Sequence, residues 1–133
     1  MGVIVDTSIL VRAERERNSE WRSVLPSDED VAVSTITISE ITVGLHFAAS
    51  PAIVARRRAF IDHVLQTMRA IDFDSRVAEV HARIWAEQKR KGKMLGPHDL
   101  IIAATAVSLG WDVLTYNSAE FGQIDGLGVK TPY

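Results

Sequence analysis

The sequence predicts an α/β fold: a three-layer α/β/α sandwich whose short-stranded central sheet is mainly parallel. Three observations carry that expectation. Brief branched-aliphatic runs recur at residues 3–5, 31–34 and 113–115, as in strands buried on both faces. Stretches with apolar residues at the helical period separate them. Short strands alternating with helices build βαβ units, and such units place their strands parallel.

In chain order, the first strand, residues 3–5, runs into Asp6 and the hydroxyls of Thr7 and Ser8. A helix follows from Ser8 to about Arg17, with Ile9 and Leu10 inward and the arginines outward. Trp21, Val24 and Leu25 suggest a short helix ending at Pro26, and Asp28, Glu29 and Asp30 a polar loop. After the strand at 31–34, Thr37 and Glu40 read as a capping box opening a helix. Ile38, Ile41, Leu45 and Ala48 share one face of it. Pro51 starts a helix that reaches Met68, with Ile53, Phe60, Ile61, Val64 and Leu65 as its apolar side.

A strand at 69–71 and a turn containing Asp72 and Asp74 lead to a helix over 75–91. Its inner stripe is Val77, Val80, Ile84 and Trp85, with His81 adjacent. A basic loop, 89–96, precedes the most apolar helix, which Pro97, His98 and Asp99 open and Gly110 closes. The strand at 113–115, a helical turn from Asn117 towards Phe121 and an extended piece at 126–129 complete the chain.

The 133 residues fit one domain, spanning 1–133, and 47% hydrophobic with 24% charged residues is the balance of a globular protein with a core. No apolar run reaches bilayer length and no leader pattern opens the chain, so a cytoplasmic protein is expected. The absence of cysteine excludes disulfide frameworks and thiolate zinc sites. Any metal must use oxygen or imidazole ligands, which points to magnesium, with manganese an option. A net charge of −2 announces no nucleic-acid binder, yet basic clusters stand near the start, at Arg56, Arg57 and Arg58, and from Lys89 to Lys93. Solvated helix faces account equally well for such clusters.

Acidic groups stand out by position. Asp6 ends the first strand, Glu40 and Asp99 fall in the first turns of their helices, and Asn117 and Glu120 follow the strand at 113–115. In a parallel sheet, strand carboxyl ends and the helix starts that follow them share one edge. These side chains therefore face one pocket. Singly, each has an ordinary explanation: a helix cap for Asp6, Thr7 or Ser8, the capping-box glutamate for Glu40, dipole complementarity for Asp99. Capping does not require acids from separate connections to meet at a single edge. Converging carboxylates repel one another, and a divalent cation relieves that repulsion. His98 reads as a surface or capping residue, and His46, His63 and His81 show no ligand pairing.

The segments Val3-Ile4-Val5-Asp6-Thr7-Ser8, Thr37-Ile38-Ser39-Glu40-Ile41 and Gly96-Pro97-His98-Asp99-Leu100-Ile101-Ile102-Ala103-Ala104-Thr105-Ala106 resemble the PIN-domain ribonucleases. So do Leu114-Thr115-Tyr116-Asn117, Glu120-Phe121 and Gly126-Leu127, and more narrowly the chain looks like the VapC toxins. It implies a PIN-like fold and a magnesium-dependent endoribonuclease of a toxin–antitoxin pair, with metal ligands at Asp6, Glu40 and Asp99. Asn117 occupies the place of the family's further polar or acidic group, with Glu120 the nearest carboxylate. Thr7 and Ser8 match a hydroxyl-bearing turn that orients Asp6 or meets a phosphate. The resemblance also implies a homodimer and a VapB-type antitoxin as partner. Arg12, Lys91 and Lys93 are the candidate RNA contacts, since phosphates need cations near the pocket.

Two rivals remain open at this point. A phosphoacceptor receiver domain would need adjacent acids at the first strand's end and an acceptor aspartate on a central strand. Val5 precedes Asp6, and residues 31–34 carry no aspartate. A non-catalytic RNA- or protein-binding module is the other.

Overall fold

The first strand of the chain, β1 (Gly2–Val5), is buried on both faces along its whole length, which explains its run of branched aliphatics. The structure, a computed structural model, describes residues 1–132. β1 is the middle strand of a parallel five-stranded sheet with β2 (Asp30–Ser34), β3 (Arg69–Ile71), β4 (Asp112–Leu114) and β5 (Val129–Lys130), in the order β3-β2-β1-β4-β5. Ile4 pairs with Ala32 on one side and Val113 on the other. The chain builds outward in one direction through β2 and β3, then returns to the opposite side of β1 through β4 and β5. That reversal makes the carboxyl ends of β1 and β4 a topological switch point, where open α/β sheets form their crevices.

Alternating side chains feed two cores. Ile4, Ala32 and Val113 pack under α4 (Ser75–Lys91) and α5 (Pro97–Leu109). Val3, Val5, Val33 and Leu114 pack with Ile9, Leu10 and Ala13 of α1 (Thr7–Glu16) and with Val64 of α3 (Pro51–Thr67). Trp21, in a 3-10 turn at Trp21–Val24, joins the second core. The α5 helix is buried nearly all round, as its composition requires. Gly110 closes it at φ 68°, a left-handed conformation in which a side chain would be strained. Arg76 Nη2, in the first turn of α4, donates to the carbonyl of Ser108 near the end of α5 (2.7 Å). The two helices therefore form an antiparallel hairpin, and the basic loop joining them lies beside the start of α5. Among the described residues, no helix is long and apolar enough to cross a membrane.

Several expectations need correction. The α2 helix (Thr35–Thr42) begins before Thr37 and is capped by Ser34, whose hydroxyl accepts the Ile36 N–H. Thr37 is thus an interior, fully buried helix residue, and Glu40 lies in the second turn, where it closes no capping box. The helix tightens into a 3-10 turn at Val43–Phe47, so Leu45 and Ala48 do not extend its apolar face. Trp85 is 51% exposed and Leu65 40%. On α4 the buried stripe is Val77, Ile84 and Gln88; Trp85, one position on from Ile84, swings outward and packs against His81, which packs against Phe73. The last strand is Val129–Lys130 rather than 126–129.

Candidate functional site

Asp6 follows β1 directly and precedes α1 with extended backbone, yet its side chain caps nothing. The carboxylate, 1% exposed, is instead gripped at one oxygen. Oδ2 accepts from Ser8 Oγ (2.7 Å) and from Thr115 Oγ1 (2.8 Å). Each hydroxyl accepts a backbone N–H from the connection leaving β4: Tyr116 N–H to Ser8 Oγ (3.3 Å) and Asn117 N–H to Thr115 Oγ1 (2.8 Å). A hydroxyl has one proton. With each acceptor side occupied by an amide, both protons are directed at Asp6. The two strand ends at the switch point are thereby stitched together through one carboxylate oxygen.

Thr7 faces the other neighbour. Its hydroxyl donates to Glu40 Oε1 (2.7 Å) and stands 2.9 Å from the buried Thr37 hydroxyl. Glu40 Oε2 lies 3.3 Å from His98 Nδ1, so Glu40 bridges α1 and the start of α5. Asp99 sits in the first turn of α5. Its carboxyl is pushed up to about 6 by burial first, then by the charges of Asp6, Glu40 and Glu120, with His98 opposing. Four carboxylates, three from separate βα units and Asp99 from the start of the second helix of the α4–α5 hairpin, therefore share one field.

The remaining candidates divide. Glu120, in the first turn of α6 (Ser118–Phe121), reaches Asp99 electrostatically although exposed. Asn117 is exposed at the helix start, its side chain makes no cap bond, and only its backbone N–H engages the site's hydroxyls. Lys91 pairs with Asp125 (2.7 Å) at the exposed edge. Lys93, also exposed, lies in the loop that leads to α5. Arg12 pairs with Glu16 (3.0 Å) and covers the ring of Tyr116. The residues that sequence reasoning missed are Thr37 and Thr115, buried hydroxyls within apolar segments, and His98 in its contact with Glu40.

Among the described residues, no three carboxylate or imidazole groups already stand at ligating geometry. The chemistry of the donor set nevertheless suits a hard cation. All four acids present oxygen, and the Asp99 carboxyl, lifted first by burial and then by its acidic neighbours, is a group whose charged form a divalent ion would favour. Magnesium retains several waters and takes only one or two carboxylates directly, so a tight protein shell is not required of the site.

The chain matches the PIN domain family over residues 3–127. It belongs to the PIN-domain family. Within the family, the VapC proteins are its relatives: it is 31% identical over 133 residues to Ribonuclease VapC1 of Rickettsia felis, with 98% of this chain and 96% of that protein covered. It is also 32% identical to a tRNA(fMet)-specific endonuclease VapC of Salmonella typhimurium, covering 75% and 74%. A solved DNA-bound VapBC complex from Salmonella typhimurium superposes with a TM-score of 0.86 at 27% identity, covering 100% of this chain and 99% of that one. A VapBC2 complex from Rickettsia felis bound to promoter DNA gives the same TM-score at 22% identity, a likeness of fold. The PIN architecture also separates the chain from receivers, whose strands run 2-1-3-4-5; here β1 is central and β2 ends on Ser34.

Proposed function

We propose that the protein is a VapC-type toxin, an endoribonuclease that hydrolyses RNA phosphodiesters with a divalent metal, magnesium or manganese. The single observation that carries this reading is the shared field around Asp99, to which Asp6, Glu40 and Glu120 contribute from separate connections. The VapC relatives, named as ribonucleases, support it. Asp6, Glu40 and Asp99 would hold the metal. Held there, a divalent ion would supply charge stabilisation at the scissile phosphate and would favour ionisation of a water for in-line attack.

The chain's own residues do the positioning. Ser8 and Thr115 hold Asp6 by Oδ2, and Thr7 holds Glu40 by Oε1. Fixed carboxylates avoid reorganisation when charge develops in the transition state. Arg12, Lys91 and Lys93 would draw the RNA backbone to the rim of this acidic pocket. A VapB-type antitoxin as cognate partner, homodimerisation and growth inhibition through RNA cleavage complete the proposal, and the VapBC complexes among its structural neighbours support the antitoxin.

The test is cleavage of total cellular RNA by purified protein with magnesium, with EDTA and after Asp6→Asn. Magnesium-dependent cleavage that the variant lacks is the expected result. Equal cleavage by the variant would sink the assignment, and a folded wild type that cuts nothing would favour the non-catalytic module.

A further inference from the structure

Beside the acidic cluster lies a second groove, about 480 Å³, lined by Ser8, Val11, Arg12, Arg15, Glu16 and Tyr116. Its inner end is tied to the catalytic side: Ser8 Oγ donates to Asp6 and accepts the Tyr116 N–H. Tyr116 is half-buried and packs against the core on the α1 side, so its ring is held in place. Over the ring stands the Arg12 guanidinium, its carbon 4.4 Å from the centroid, while Arg12 Nε donates to Glu16 (3.0 Å). Arg15 supplies a second cation at the same groove.

We propose that this groove is a nucleotide subsite: one unpaired base of the RNA flanking the scissile phosphate stacks on the Tyr116–Arg12 pair, and its phosphate lies against the arginines. The inference rests on the ribonuclease reading and adds the form of the substrate. Every base has a π-face, so stacking on a fixed ring or a guanidinium plane binds single strands with little regard to sequence. In duplex RNA the bases are paired and stacked within the helix and are not available to such a platform. The volume is that of a ligand-sized cleft, and Arg12 and Arg15 bring two cations to it beside Glu16. An acidic peptide would meet the arginines but make no use of the ring.

The experiment uses the full chain carrying Asp6→Asn, to prevent cutting, and a fluorescein-labelled oligouridine of about 12 nucleotides, within the span of single-strand sites. Affinity is read by anisotropy in magnesium, beside the same oligomer lacking its bases, and wild-type cleavage of the oligomer is followed in parallel. Tyr116→Leu keeps apolar contact with the core but offers no ring; it should weaken binding about tenfold, with Tyr116→Trp within about twofold of its parent. On the base-free oligomer the difference should vanish. Arg12→Gln, on an exposed side chain, should lower affinity for the intact oligomer about threefold whatever the leucine does to packing. Binding by Tyr116→Leu and Arg12→Gln equal to the parent, or a leucine loss that persists without bases, overturns the subsite. A wild type that cleaves while Tyr116 is indifferent overturns the subsite alone. A wild type that neither binds nor cleaves overturns the ribonuclease reading as well.

Discussion

Asp99→Asn should abolish cleavage and yet make the metal-free protein more stable. The Asp99 carboxyl stands at about 6 in the folded chain against 3.8 ordinarily, so the folded state holds that proton more tightly than the unfolded state does. Stability from this group is present below about pH 4, is lost as pH rises through about 6, and is missing at neutrality. The shift, about 2 units, corresponds to about 3 kcal/mol. The side chain is partly exposed, and solvent screening cuts the figure to about 1.5 kcal/mol. An asparagine carries no charge and escapes the loss. With an unfolding entropy of about 2.1 cal/mol/K per residue over 133 residues, the gain is about 5 °C in Tm. Thermal melts followed by circular dichroism in EDTA at pH 7.5 should show it, and at pH 4 the gain should shrink to about a third. Saturating magnesium should reverse the order by stabilising the wild type. A Tm at pH 7.5 that is unchanged or lower in the variant, or a gain undiminished at pH 4, would refute the electrostatic argument.

Thr115→Val removes one of two donors to Asp6 Oδ2 and an acceptor for the Asn117 N–H; urea denaturation should show a loss of about 1–3 kcal/mol, with cleavage reduced. Ser8→Ala acts on the same oxygen, so the double variant should be non-additive by at least about 0.5 kcal/mol, and strict additivity would count against the shared clamp. Magnesium at about a hundred times its dissociation constant should stabilise the wild type by about 2.7 kcal/mol, a gain that calorimetry should find missing or much reduced in Asp6→Asn. Gly2→Ala would place a methyl 2.6 Å from the Trp111 ring and should cost about 1–3 kcal/mol through overpacking, read from the same melts.

The parts of the site legible in the sequence are those whose signal is positional. An aspartate ending a doubly buried strand, and another opening an apolar helix, show their place in the fold by what surrounds them; Asp6 and Asp99 lie there. For Glu40 the sequence pattern indicates the right helix and the wrong turn. Ser34 and Thr37 are both able caps, and only the Ser34 bond to Ile36 decides between them. Thr115 gives no sign of its role in sequence, because a hydroxyl at the end of an apolar strand looks like any strand threonine until its partner, 109 positions away, is brought beside it. Trp85 misled for a related reason. Its neighbour Ile84 holds the buried position, and a large apolar residue one step round a helix cannot be told from core by period alone.

The hydroxyl clamp on Asp6 also bears on when the acidic site is assembled. Asp6 is made 109 residues ahead of Thr115, and well ahead of the strand that Thr115 follows. A nascent chain that has emerged only through α4 lacks Asp99, β4 and the hydroxyl that orients the first acid, and its central strand has one neighbour missing. Contacts so remote in sequence form late, once the loop between them has closed. The order of the strands thus acts as a timer: the centre comes together only when every residue from Asp6 to Thr115 is available.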